Sequence, residues 1–146
     1  MYMACLLIEH FPFKFEVSKN PDLKNKDLII YEVFGSRRVV LDTSPNMEQV
    51  PAGMPLKEAS SRYDNAEIIA ANLPIYHHEF DRILLGLCNI SPLVESAELG
   101  CAYIGLDGLQ SIHKTKTHLV NSLLQSIPSH LSPRLGMSHN KFTAYL

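Results

Sequence analysis

The hydrophobic pattern of the chain predicts strands and helices in alternation. Residues 3–8 are apolar without interruption, which is typical of a strand that is buried on both faces of a sheet. Between residues 75 and 88 the apolar positions recur with a period of 3.6 and leave charged residues on the opposite side, so this segment is predicted to be a helix. Pro74 lies in its first turn, and the Ser-Pro pair at 91–92 ends it.

The second half of the chain continues this alternation. Residues 93–99 and 101–106 are predicted to be two strands joined at Gly100, and residues 116–127 form an amphipathic helix. A short strand at 132–137 follows, and residues 140–146 begin another helix. The order strand, helix, strand, strand, helix, strand predicts an α/β (α+β) fold of the ferredoxin-like βαββαβ type.

An insertion of residues 13–73 separates the first strand from the first of these helices. Within it we predict strands at 28–33, 37–41 and 67–70 and a helix around 55–62. The predicted organisation is therefore one domain of residues 1–12 and 74–146, which carries the 13–73 segment as an inserted lobe.

Composition excludes several classes of protein. Hydrophobic residues make up 46% and charged residues 19% of the 146 positions, as in ordinary globular domains. The apolar runs are too short for a membrane span, and the first residues lack the pattern of a signal peptide. Three widely spaced cysteines predict neither a disulfide framework nor a zinc site, so we expect a cytoplasmic protein. A net charge of -2 is not that of a strongly basic nucleic-acid-binding protein.

Three short stretches, in this order and spacing, carry a family resemblance. They are Glu-His-Phe-Pro-Phe-Lys-Phe-Glu at 9–16, Val-Pro-Ala-Gly-Met-Pro-Leu-Lys-Glu-Ala at 50–59, and Gly-Met-Ser-His-Asn-Lys-Phe at 136–142. Together they resemble the DinB/UmuC superfamily of translesion DNA polymerases. Phe-Pro at 11–12, Thr-Ser-Pro at 43–45 and Ser-Pro-Leu-Val-Glu at 91–95 are most similar to its ImuB-like branch. The resemblance implies a palm of residues 1–12 and 74–146 and a fingers lobe of residues 13–73. Alone, the Gly-Met-Pro block is equally compatible with an ordinary loop that turns into a helix.

The resemblance also implies where the catalytic carboxylates of the family fall. Their positions are occupied here by Leu7, Gly100 and Cys101. Magnesium needs hard oxygen ligands, which these residues do not provide. We therefore predict that the chain is not an enzyme, and that the magnesium ions of the family are not expected.

Residues on the triphosphate side of the family's site give a similar picture. Where the resemblance implies a Tyr and an Arg, this sequence has Thr43 and Asn46, and the aromatic gate to the nucleotide sugar falls on Pro12. Lys141 matches the family motif. We predict that it contacts DNA phosphate, with a solvated lysine at a helix start as the alternative.

Two adjacent arginines are further candidates for nucleic-acid binding. Arg37 and Arg38 follow a Gly-Ser turn and could clamp a phosphate backbone, although exposed turn arginines are common.

The leading hypothesis is a non-catalytic, polymerase-like module in DNA repair or damage-induced mutagenesis. It would bind damaged or gapped DNA, recruit a working polymerase or another repair protein, and have no membrane partner. One alternative is an active nucleotidyl-transferring or nucleotide-cyclising enzyme that uses Glu9 and Glu98 as a rearranged acid pair, since each lies two residues from a lost ligand position. The other alternative is a domain that serves protein assembly alone.

Overall fold

The computed structural model describes residues 3–106 and 116–138, which form seven strands and four helices. The strands are β1 (Met3–Leu7), β2 (Leu28–Phe34), β3 (Arg37–Thr43), β4 (Glu67–Ala70), β5 (Val94–Glu98), β6 (Cys101–Gly105) and β7 (Arg134–Ser138). The helices are α1 (Phe11–Lys19), α2 (Leu56–Arg62), α3 (Leu73–Cys88) and α4 (Lys116–Gln125), and short 3₁₀ turns cover Pro21–Asn25 and Ser129–Leu131. Within the described residues, no helix has both the length and the apolarity that a membrane span requires.

The chain divides into two compact units. The first unit contains Met1–Glu9 and Pro74–Leu146, and the second contains His10–Leu73. In sequence terms, the second unit is the inserted segment with three more residues at its start. Each unit has its own sheet.

The first unit holds a four-stranded antiparallel sheet in the order β5-β6-β1-β7. This is the strand order of a ferredoxin-like βαββαβ fold, so the predicted fold class is confirmed. The uninterrupted apolar run places β1 in the middle of the sheet. Ala4 and Leu6 on one of its faces are both 0% exposed, and Cys5 on the other face is also buried.

Two helices of the first unit turn an apolar stripe inward. The buried residues of α3 are Tyr76, Phe80, Ile83 and Leu87, which are spaced by three and four positions. In α4 the buried residues Leu119 and Leu123 follow the same spacing. These are the stripes that the 3.6-residue period predicts.

The second unit holds a three-stranded sheet in the order β3-β2-β4. The β2–β3 hairpin turns at Gly35, whose φ of +66° lies in the left-handed region that favours glycine. The parallel pairing of β2 with β4 requires a crossover, which α2 supplies. A separate hydrophobic core fills this unit, formed by Ile29, Val40, Met47, Val50 and Ala59.

The sequence analysis did not predict α1. Phe11, Phe13 and Phe15 alternate with other residues, a spacing that does not indicate a one-sided helix. All three are buried, so this short helix is covered on more than one side, and its apolar positions need not follow a single stripe. The helix predicted at 140–146 lies outside the described residues.

Candidate functional site

Strand register brings together the three positions that the resemblance assigned to the catalytic carboxylates. In the antiparallel β1–β6 pair, Leu7 is directly opposite Cys101. Next to this pair, the backbone N–H of Ile8 donates to the carbonyl oxygen of Gly100 at 2.7 Å. The three positions therefore meet at one end of the two central strands.

The side chains at this end form a small apolar cluster. Cys101 is 1% exposed, and its Sγ lies 3.9 Å from the Sγ of Cys5, which is 3% exposed. Leu7 and Tyr103, both partly buried, pack against the two thiols. Two of the three positions that the resemblance assigned to the carboxylates, Leu7 and Cys101, are thus part of a hydrophobic contact.

Burial sets the protonation state of both thiols. Loss of solvent, together with the nearby Cys5 and the negative charge of Glu98, raises the pKa of Cys101 to about 12. Burial also raises the pKa of Cys5, an effect partly offset by its hydrogen bond with Cys101. At neutral pH the cluster therefore contains two protonated thiols.

These residues do not fit a magnesium site. Magnesium binds in near-octahedral geometry to hard oxygen ligands, usually carboxylates and water. Leu7 and Gly100 have no ligand atom in their side chains, and the thiol of Cys101 is soft, protonated and buried. No metal-dependent step follows from this set of side chains.

The alternative acid pair, Glu9 and Glu98, is not assembled as a metal site. Glu9 Oε1 instead accepts a hydrogen bond from Arg134 Nη1 at 3.0 Å, in an exposed ion pair. Glu98 is exposed on β5, opposite Cys101. Among residues 3–106 and 116–138, no group of three or more His, Cys, Asp or Glu side chains could hold a metal ion.

A cationic groove lies on the second unit, with a volume of about 620 Å³. Arg37 and Arg38 enter it from the start of β3, and Lys57 enters it from the first turn of α2. The other lining residues carry no charge; they are Ser36, Val39, Gly53, Pro55, Leu56, Ser60 and Ile68. The structure thus joins the two predicted arginines to a lysine that the sequence analysis did not select.

The three cations of this groove have no acidic partner within the described part of the chain. The guanidinium carbon of Arg38 lies 5.6 Å from the centroid of the Tyr31 ring, which orients this side chain without neutralising its charge. Phe34, on the same hairpin, is 71% exposed. An exposed aromatic ring beside unpaired cations can contact both the bases and the phosphates of a nucleic acid.

His10 and Asp42 form a second polar feature of this unit that the sequence analysis missed. His10 Nδ1 lies 2.7 Å from Asp42 Oδ1, and the backbone N–H of Phe13 donates to Asp42 Oδ2 at 2.9 Å. Both side chains line a cavity of about 340 Å³. His10 has a φ of 54°, a strained conformation for a residue other than glycine.

The remaining predicted site residues have structural partners or lie outside the described residues. The buried hydroxyl of Thr43 donates to the carbonyl oxygen of Ser44 at 3.1 Å. The amide of Asn46 donates to Asp27 Oδ1 at 3.1 Å, and Pro12 is buried in α1. Lys141 lies outside the described residues, so its predicted contact with DNA stays a prediction.

Comparison with known proteins identifies the family. The profile described as the impB/mucB/samB family matches residues 6–146. The chain belongs to this family. The predicted membership of the DinB/UmuC superfamily is therefore confirmed, whereas the ImuB-like branch within it stays a prediction.

Curated relatives include DNA polymerase IV of Dehalococcoides mccartyi strain CBDB1, which is 25% identical over 141 residues. This match covers 94% of the chain and 36% of that relative. DNA polymerase IV of Staphylococcus aureus strain JH9 is 26% identical over 143 residues, covering 95% of the chain and 40% of the relative. The chain thus spans less than half the length of the curated relatives that it matches.

Solved structures show the same fold. The crystal structure of DinB from Sulfolobus solfataricus superimposes with a TM-score of 0.83 at 21% identity and covers 99% of this chain and 44% of that one. The post-insertion binary complex of Dbh DNA polymerase gives a TM-score of 0.84 at 21% identity, with the same coverage.

Two predictions from the sequence are wrong in light of these matches. The prediction that the chain is not an enzyme is contradicted by relatives that are named DNA polymerase IV. The prediction that magnesium ions are not expected is contradicted as well, because related polymerases of this class use divalent metal ions. Both predictions rested on three side chains, whereas the matches extend over nearly the whole chain.

Proposed function

We propose that this chain is the palm-and-fingers part of a translesion-type DNA polymerase and that it binds primer–template DNA. The palm corresponds to the first unit and the fingers to the second. The observation that carries DNA binding is the groove lined by Arg37, Arg38 and Lys57, whose charges are unpaired among the described residues. The relatives that match nearly the whole of this chain are named DNA polymerases, which supports DNA as the ligand.

The distribution of charge favours DNA binding at the groove rather than over the whole surface. The chain as a whole has a net charge of -2, so its overall field does not attract DNA. Three cations in one groove can each displace a counterion from a phosphate, and such displacement dominates the affinity of proteins for nucleic acids. Arginine also binds phosphate in a bidentate manner, which fixes the orientation of the backbone. The bases next to the bound phosphates can stack on exposed Phe34.

The test compares two variants that carry the same change in net charge. Fluorescence anisotropy at low salt measures the binding of a labelled primer–template with a single-stranded template overhang. The variant Arg37→Gln/Arg38→Gln/Lys57→Gln should bind at least about tenfold more weakly than wild type. The slope of its log affinity against log salt concentration should correspond to about two to three fewer phosphate contacts.

The matched control is Lys19→Gln/Lys24→Gln/Arg82→Gln, which removes three exposed cations outside the groove. It should retain nearly all of the affinity. Equal losses in the two variants would show that the groove is not the binding site. If wild type fails to bind DNA even at low salt, the proposed function is wrong.

A second proposal concerns the protein partner: we propose that a working polymerase joins this chain on damaged templates. The observation that favours it is the side-chain set of Leu7, Gly100 and Cys101, which offers no carboxylate to a metal ion. Primer extension past a lesion by a separate translesion polymerase should increase when this chain is added. A reaction with the chain alone reports any extension that it performs itself. An unchanged or reduced yield of the separate polymerase would contradict the recruitment role.

A further inference from the structure

The end of the β2–β3 hairpin extends beyond the rest of the sheet in the second unit. The register of β4 on β2 ends at Tyr31, whereas that of β3 continues as far as the pair of Phe34 and Arg37. Residues 33–38, which we call the hairpin tip, are all exposed. The hairpin tip is therefore a two-stranded ribbon that is open to a ligand on both faces.

Each face of the hairpin tip carries one large apolar side chain and one arginine. Phe34 is directly opposite Arg37, and Val33 is directly opposite Arg38. Residues that are directly opposite share a face, whereas consecutive residues of a strand point to opposite faces. The exposed fractions of Phe34 and Val33 are 71% and 65%, so both apolar side chains are accessible. The two faces thus offer the same combination of groups.

The charges of the hairpin tip favour a polyanion as its ligand. Residues 33–38 include two arginines and no acid. Neither guanidinium has an acidic partner among residues 3–106 and 116–138. Arginine binds phosphate, and aromatic or apolar side chains cover the faces of unstacked bases. A ligand that suits both faces at once has two phosphate backbones and unpaired bases on each.

Three forms of DNA differ in what they offer to these faces. A single strand has one backbone, so it uses one arginine and leaves the opposite face uncovered. An uninterrupted duplex has two backbones, but its bases are stacked, and separating them costs free energy. A fork, at which a duplex opens into two single strands, supplies two diverging backbones and an unpaired base on each. The fork alone matches both faces without a cost of unstacking.

We propose that the hairpin tip binds DNA forks and lies between the two diverging strands. The small residues Gly35 and Ser36 form the turn that faces the last base pair. Phe34 stacks on the first unpaired base of one strand, and Val33 packs against that of the other. The arginine of each face binds a phosphate of the strand on its own side. This inference rests on the proposed function, since it names the DNA structure that the same region prefers.

The test measures fluorescence anisotropy at low salt with three labelled DNAs of equal nucleotide number: a fork with two non-complementary arms, a blunt duplex and a single strand. Wild type should bind the fork at least about tenfold more tightly than the other two, since stacking of one base on an aromatic ring is worth about fivefold to a hundredfold in affinity. Phe34→Ala should lose most of this preference. The matched control is Leu85→Ala, which removes a side chain of α3 that is 68% exposed and should leave the preference unchanged.

The possible outcomes separate this inference from the proposed function. Equal affinity of wild type for all three DNAs would refute the preference for forks and leave the proposed function in place. Failure of wild type to bind any of them would refute both. An equal loss of preference in Phe34→Ala and Leu85→Ala would show that the hairpin tip does not recognise the fork.

A stacking probe provides a second measurement. Pyrrolocytosine, whose fluorescence depends on stacking, is placed at the first unpaired position of either arm of the fork. Its intensity should change in one arm when saturating wild type binds, and this change should be absent with Phe34→Ala. An unchanged signal in both arms with wild type would refute stacking on Phe34.

Discussion

At the scale of single residues, Asp42 shows how one side chain stabilises two parts of the second unit. It lies on β3, and its two carboxylate oxygens bind the ring of His10 and the backbone N–H of Phe13. His10 is the N-cap of α1 but makes no capping hydrogen bond through its own side chain. Asp42 therefore supplies from another strand the cap that the local sequence lacks.

Replacement of Asp42 by alanine should lower the free energy of unfolding by about 1–3 kcal/mol. The substitution leaves Phe13 N–H and the His10 ring without their acceptor. Urea denaturation followed by circular dichroism measures the change. The control is Asp64→Ala, which removes an exposed acid of the same unit and should stay within about 0.5 kcal/mol of wild type. If the two variants have the same unfolding midpoint, Asp42 is not a cap.

The buried thiol of Cys101 should make the stability of the protein depend on pH in the alkaline range. Its pKa rises from an ordinary value of 9.0 to about 12 in the folded state. Below pH 9 both states keep the proton. As the pH rises from 9 towards 12, only the unfolded chain loses it, so stability falls by about 1.4 kcal/mol per pH unit for this one proton. Denaturation of wild type and Cys101→Ala across this range should give curves that converge as the pH rises; parallel curves would contradict the expected titration.

At the scale of elements, a buried hydroxyl helps to fix the start of the edge strand β5, which is also paired with β6, to the sheet of the first unit. Ser91 is 0% exposed, and its Oγ lies 2.6 Å from the carbonyl oxygen of Gly105. The same oxygen accepts a hydrogen bond from the backbone N–H of Leu93 at 3.2 Å. Most of β5 is exposed, so it contributes little buried apolar surface of its own. These hydrogen bonds therefore matter more for β5 than for a central strand.

The variant Ser91→Ala should be less stable than wild type by about 1–3 kcal/mol, because a buried carbonyl oxygen and a backbone N–H lose a hydrogen-bonding partner. Thermal denaturation provides the measurement. Ser96→Ala, an exposed substitution on β5 itself, is the matched control and should change stability by no more than about 0.5 kcal/mol. Comparable losses in both variants would mean that β5 is held by its strand pairing rather than by Ser91.

At the scale of the whole molecule, the two units have separate cores. One is built on the buried face of β1 with α3 and α4, and the other surrounds Ile29 and Val40. Units with their own cores open separately when one of them is weakened. We therefore expect each unit to have its own free energy of unfolding.

Hydrogen–deuterium exchange tests this separation with the two variants already described. Asp42→Ala should speed amide exchange in β2 and β3 and leave β1 and β6 unchanged. Ser91→Ala should speed amide exchange in β1 and β6 and leave β2 and β3 unchanged. Faster exchange throughout the chain in either variant would show a single cooperative unit instead.

The sequence alone determined the order of most elements and the fold class. Strands and helices such as β1, α3 and α4 carry patterns that are local and periodic, and such patterns can be recognised without knowledge of tertiary contacts. The Gly-Met-Pro block and its spacing to the other motifs indicated the superfamily for the same reason. In contrast, α1 was missed because its stability comes from burial on several sides and from the distant cap Asp42.

Only the tertiary structure decided which side chains meet. Strand register brings Cys5 to Cys101 across 96 residues, and a shift by one residue would turn one thiol to the opposite face of the sheet. The groove likewise joins Lys57 to two arginines from a different element. Such contacts depend on how distant segments align, which local patterns do not encode. This is why the sequence indicated the fold and the family but did not reveal the thiol pair or the complete groove.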